Sequence, residues 1–155
     1  MAWAVIYYKS ARGIVPAFEF MAEECPKKVR ANLFAVVGMV ADAPPPAFSG
    51  GGRWETMHGT MSGYYQVKAT GPGRRHYRLF CVLEGGEEAE LERRGLSGPA
   101  IAVITGMWKL NATLFSEDDY KGVRSLGEDH RKQFPRRVAT GDDLKAFLNR
   151  VAESN

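Results

Sequence analysis

Residues 63–83, Gly63-Tyr-Tyr-Gln-Val-Lys68-Ala-Thr70-Gly-Pro-Gly73-Arg-Arg-His76-Tyr-Arg78-Leu-Phe80-Cys-Val-Leu83, read as two strands around a tight turn. Alternation over 64–69 puts Tyr65, Val67 and Ala69 on one side and Tyr64, Gln66 and Lys68 on the other. Thr70-Gly-Pro-Gly73 is a turn, and 76–83 is rich in aromatic and apolar residues. If paired residue numbers sum to 146, Lys68 lies opposite Arg78, Gln66 opposite Phe80 and Tyr64 opposite Val82. Like charges opposed across a ladder are unfavourable unless an anion sits between them. A slip of one residue would separate the pair. The hairpin is therefore either a solvated basic ribbon or a place for phosphate.

Working outward, residues 3–8 suit a strand, and Lys9 to Gly13 a turn. Pro16 opens a helix with Phe18, Met21 and Ala22 on one face. Cys25-Pro26 breaks it, and a second helix starts near Lys27, with Val29, Leu33, Val36, Val37 and Val40 at helical spacing. The two read as a helical hairpin. Asp42-Ala-Pro-Pro-Pro46 and Ser49-Gly-Gly-Gly52 make a loop. Beyond the central hairpin, 84–98 is expected to be a solvated acidic loop. Residues 100–105, Ala-Ile-Ala-Val-Ile-Thr, read as a central strand buried on both faces. Ser116 before Glu117, Asp118 and Asp119 starts a helix. Thr140 with Asp142 and Asp143 opens a last one, striped by Leu144, Phe147, Leu148 and Val151. The whole of 1–155 reads as one α+β domain: an N-terminal strand, a two-helix hairpin, a mainly antiparallel sheet, and a helical C-terminal extension near 116–155.

The 155 residues carry a net charge of only +3, but the charge is segregated. Residues 53–83 hold Arg53, Lys68, Arg74, Arg75 and Arg78 against Glu55 alone. Residues 84–98 hold five glutamates against Arg93 and Arg94. Clustering, more than net charge, marks a surface for an anionic partner. The N-terminal residues lack a basic and apolar leader pattern. The longest apolar run, Leu33 to Ala41, is about half the roughly 20 residues a membrane span needs. Cys25 and Cys81 have no framework spacing and read as thiols of a reducing compartment. A cytoplasmic location without membrane attachment is the expectation.

Arg78 has the planar fork that suits phosphate and cannot serve as a base. Lys68 is a second phosphate clamp, or a base if burial and nearby cations lower its proton affinity. Arg74 and Arg75 extend the patch at the turn. Lys109, after the buried strand, is either another phosphate contact or a strand-end lysine reaching solvent. Tyr64 could stack on an exposed base, with Tyr65 the better core candidate. His58 could be a general acid or base, or a surface histidine; His76 has the same two readings. His130 reads as part of a solvated charged helix. The histidines and cysteines lack the paired spacing of a zinc site. Gly50 to Gly52 are not followed by Gly-Lys-Ser/Thr, so no P-loop is expected.

Five strings in order, Trp3-Ala-Val-Ile-Tyr-Tyr8, Pro16-Ala-Phe-Glu-Phe-Met21, Gly63-Tyr-Tyr-Gln-Val-Lys68, His76-Tyr-Arg-Leu-Phe80 and Ile104-Thr-Gly-Met-Trp-Lys109, resemble the RelE/ParE superfamily, above all its HigB-like, phage-associated branch. The resemblance covers residues 3 to about 115. It implies the toxin of a type II toxin–antitoxin pair with a RelE-like fold: a metal-independent endoribonuclease that cuts mRNA on the ribosome and needs no cofactor. Arg78, Lys68 and His58 would be catalytic, and Arg74, Arg75, Lys109 and Tyr64 would bind RNA. The implied partner is an antitoxin, expected to carry a helix-turn-helix domain. The ParE branch poisons DNA gyrase instead, and a non-toxic phage-derived interaction module is a third reading. The chain departs from the family in having Gln66-Val-Lys68 where Glu-Leu-Arg is frequent. It also has longer segments at 84–98 and 116–139, and no matching C-terminal tyrosine or histidine.

Overall fold

The computed structural model describes residues 2–45, 47, 52–111 and 113–154. The glycines at 50 and 51, and Pro46 of the proline run, lie outside them. Six strands form one mixed sheet in the order β2-β3-β4-β5-β1-β6. They are β1 (Ala4–Tyr8), β2 (Trp54–Thr56), β3 (Tyr65–Gly71), β4 (Arg75–Glu84), β5 (Ala100–Leu110) and β6 (Val138–Ala139). β1 runs parallel to β5, and the other pairings are antiparallel. Among the described residues, this sheet and five α-helices make an α+β architecture.

The central strand is where the apolar run placed it. Ala100 to Ile104 are all buried, between β4 on one side and β1 on the other. A strand with apolar side chains on both faces has to be covered on both, and it is. One face carries α1 (Pro16–Glu19), which widens into a π-helical turn at Phe20–Glu24, then α2 (Lys27–Asp42) and α5 (Gly141–Ser154). Val29, Leu33, Val36, Val37 and Val40 of α2 join Phe18, Met21, Val67, Leu79 and Leu144 in that core. Gly106 is a site of close approach: a methyl there would run into the Phe20 ring.

The opposite face is covered in part by α4 (Glu117–Lys132). Its start follows from the sequence. Ser116 Oγ accepts from Asp119 N–H at 3.0 Å, and Asp119 Oδ2 accepts from Ser116 N–H at 2.8 Å. Acids fill its first turn, and His130, Arg131 and Lys132 its last, as the helix dipole favours. Thr140 and Asp143 repeat the reciprocal cap at the start of α5.

Four expectations fail here, and the second helical layer accounts for those at Tyr64 and His130. Tyr64 is buried at 3 % exposure beneath α4, so close that a methyl on Gly127 would overlap its hydroxyl. Tyr65, the expected core residue, is only half-buried and stacks on Trp54 at 5.0 Å. The acidic segment is not simply a loop: Glu84 ends β4 and is buried, and Glu88–Arg93 forms α3, anchored by buried Leu91. His130 is wholly buried, with Nε2 2.9 Å from Glu84 Oε2. Arg136 Nε at 2.7 Å and Arg94 Nη1 at 3.1 Å complete the shell of Glu84. A helix that packs its C-terminal turn onto a sheet can bury a histidine that its charged neighbours make look solvated.

Candidate nucleic-acid interface

The β3–β4 register is the one the alternation implies. Lys68 pairs with Arg78 and Gln66 with Phe80. Extending each row across the sheet defines the site. The first row is Glu55–Gln66–Phe80–Thr105, the second Lys68–Arg78–Met107, and the third Thr70–His76–Lys109. All these side chains share the α4 face, toward the hairpin end that α4 leaves open.

Lys109 reaches this face because of a bulge. Phe80 pairs with Thr105, but Cys81 pairs with Val103, so Ile104 is an extra residue in β5. Strict alternation from buried Ile101 and Val103 would put Lys109 on the α2 face. The bulge inverts the parity, giving Lys109 to the Arg78 side and Gly106 and Trp108 to the other.

A cleft of about 400 Å³ opens beside the second and third rows, lined by Asn32, Arg53, Lys68, Thr70, His76 and Arg78 among others. β2 reaches only as far as the Arg53 carbonyl, which accepts from Lys68 N–H at 2.8 Å. Among the described residues no strand pairs with the edge of β3 beyond it, and the cleft lies there. A smaller hollow at the turn is lined by Arg74, Arg75, His76 and Asn111.

The anion demanded by the opposed charges is partly supplied from within. Glu55 Oε2 accepts from Lys68 Nζ at 2.6 Å, and Glu55 Oε1 from Gln66 Nε2 at 3.0 Å. The Lys68 hydrogen bond, opposed by burial and helped by Gln66 and Arg78, holds the Glu55 carboxyl below its ordinary pKa. Arg78 keeps most of its donors for a ligand: Nη1 donates to the Tyr77 carbonyl at 3.1 Å. Burial lowers its pKa while Glu55 and Tyr120 oppose that, and a guanidinium so placed stays charged. Burial, then Arg78 and Lys68, lower the pKa of Lys109. These are cations held close together at a partly desolvated surface.

His76 Nε2 lies 3.0 Å from Asn111 Oδ1. With that oxygen accepting, Nε2 carries a hydrogen. Arg75 is spent on Trp108, its guanidinium 4.4 Å from the ring centroid. Arg74 stands exposed at the turn with φ of 61°, a left-handed conformation unusual for a side-chain-bearing residue.

No family model, curated protein or solved structure is similar to this chain. The site therefore rests on its own geometry.

Lys68, Arg78 and Lys109 of the expected residues come together, with Arg74 and Arg75 at the adjoining turn. His58 does not join them: it is exposed, precedes the short 3-10 turn Gly59–Met61 beyond the far end of β2, and does not line the cleft. The histidine that lines the cleft is His76. Tyr64 is buried and cannot stack on a ligand. Sequence reading missed Glu55, Asn111, Phe115 and Tyr120. Glu55 was visible as the lone acid of a basic segment; the others come from distant positions with no local signal. Among the described residues no group of histidine, cysteine and carboxylate side chains is placed to hold a metal ion, and no helix is long and apolar enough to cross a membrane.

Proposed function

We propose that this chain is a RelE/HigB-type toxin that cleaves mRNA on the ribosome without a metal and so stops translation. The observation that carries the reading is the juxtaposition of Lys68, Arg78, His76 and Lys109 on two adjacent rows beside an open cleft. The five sequence strings supply the family and the ribosome.

In RNA cleavage by an internal 2′-hydroxyl, that oxygen loses a proton and bonds to phosphorus, and the 5′-oxygen leaves and gains a proton. Arg78 aims guanidinium donors at the phosphate where charge develops. Lys68 and Lys109 clamp its neighbours, and Arg74 holds backbone further along. His76 is the proton-transfer group of the cleft. Lys68, ion-paired to Glu55, acts as a charge and not as a base. An antitoxin supplying an acidic or helical segment would cover this cationic face and exclude RNA.

The Lys68–Glu55 pair favours a second reading. A basic pair already partly neutralised has less need of phosphate, as in a gyrase poison or an interaction module. Expression of the wild-type chain followed by primer extension separates them. Cuts within coding regions are expected, and they should vanish in a folded Arg78→Ala variant, whereas Lys68→Arg retains ribosome binding. Intact transcripts with translation running, or DNA cleavage complexes in their place, would remove the ribonuclease reading.

A further inference from the structure

Phe80, Phe115 and Tyr120 form a three-ring cluster on the α4 side of the sheet. Their centroids lie 5.9 Å (Phe80–Phe115), 6.2 Å (Phe80–Tyr120) and 6.0 Å (Phe115–Tyr120) apart, every pair steeply tilted at 61–83°. Phe80 is fully buried and is the floor. Phe115 and Tyr120 sit above it and keep part of their surface exposed. None of the three pairs is stacked face to face.

The cluster adjoins the cationic rows. Phe80 is two residues from Arg78 on the same face of β4, about 7 Å along the strand. Burial raises the pKa of Tyr120 while the positive charge of Arg78 lowers it, so the two are electrostatic neighbours. Lys109 Nζ lies 5.3 Å from the Phe115 ring centroid. A base stacking on that face of Phe115 would displace the Lys109 ammonium. A partly exposed aromatic pair beside a row of cations combines the two elements by which single-stranded nucleic acid is held, stacking for bases and charge for backbone.

The geometry points to a base-stacking subsite for single-stranded RNA on Phe115 and Tyr120, served by the cations Lys68, Arg78 and Lys109 of the two adjoining rows. It rests on the RNA-binding reading above and goes beyond it in placing the base. The residues belong to the start of the C-terminal extension, so that segment would contribute to ligand recognition as well as covering the sheet.

The test uses two 2′-O-methyl hexamers, which cannot be cleaved, one bearing bases and one abasic, bound to the full chain at fixed salt and followed by fluorescence anisotropy. The wild type should prefer the base-bearing hexamer by roughly 5- to 100-fold, the range expected for stacking of one base. Phe115→Leu with Tyr120→Leu should lose that preference while keeping its affinity for the abasic chain. Phe115→Tyr, which keeps a ring, should retain the preference and shows that the position tolerates change. Equal wild-type affinity for both hexamers, or a preference that survives the double leucine variant, overturns the subsite and leaves the RNA reading standing. Failure of the wild type to bind either hexamer also overturns the subsite, whereas the ribonuclease reading stands or falls by the primer extension above.

Discussion

Replacing Glu84 by glutamine tests whether the buried ion cluster is what holds the C-terminal extension on the sheet. Glu84 is 3 % exposed, and burial alone would raise its pKa. Hydrogen bonds from His130 and Arg136, and their charges, outweigh burial and hold the carboxyl at about 2 against an ordinary 4.5. Each tenfold change in proton affinity is worth about 1.4 kcal/mol. The ionised carboxylate therefore contributes about 3 kcal/mol near neutral pH, in line with the loss seen when one partner of a buried pair is removed. Because the folded pKa is depressed, this stability is fully present above about 4.5 and is lost as pH falls toward about 2. Urea unfolding of wild type and Glu84→Gln at several pH values reads it. The variant should be less stable by about 3 kcal/mol at pH 7, and the gap should shrink to roughly half or less at pH 3. The amide cannot answer the charges of Arg136 and Arg94, and His130 keeps an Nδ1 with no hydrogen-bond partner among the described residues, so little compensation is available. Equal stabilities at pH 7, or a gap that stays constant down to pH 3, would refute the reasoning.

Glu55→Gln frees Lys68 and removes a carboxylate from the cleft. Affinity for single-stranded RNA should rise about two- to five-fold, the worth of an exposed ion pair, with a steeper salt dependence in a binding titration; weaker binding would count against Lys68 as a phosphate clamp. Arg74→Gly relieves the left-handed backbone at the turn and should stabilise the fold by about 1 kcal/mol in thermal unfolding while weakening RNA binding. A drop in stability would show that the arginine earns its place in the fold itself. Gly127→Ala improves helix propensity yet drives a methyl into Tyr64, so it should destabilise by about 1–2 kcal/mol. Tyr64→Leu in the same chain should recover part of that loss, and additive losses in a double-mutant cycle would exclude the contact.

What sequence alone determined here is what neighbouring residues decide among themselves. Alternation and a Gly-Pro-Gly turn set the hairpin register that opposes Lys68 and Arg78, since a slip by one would exchange the faces of one strand relative to the other. The Ser116 and Thr140 caps set where two helices begin, through hydrogen bonds spanning three residues. The apolar run at 100–105 announced a strand covered on both faces. Only the tertiary structure decided which helices do the covering. α4 lands on the Tyr64 face, burying that ring and carrying His130 onto Glu84, 46 residues away in the chain. It also brings Phe115 and Tyr120 to Phe80, and no periodicity in the chain encodes such a meeting. The bulge at Ile104 is the sharpest case. One extra residue in β5 inverts the faces of everything after it, so Lys109 joins Arg78 through a packing choice at a position that itself reads as ordinary core.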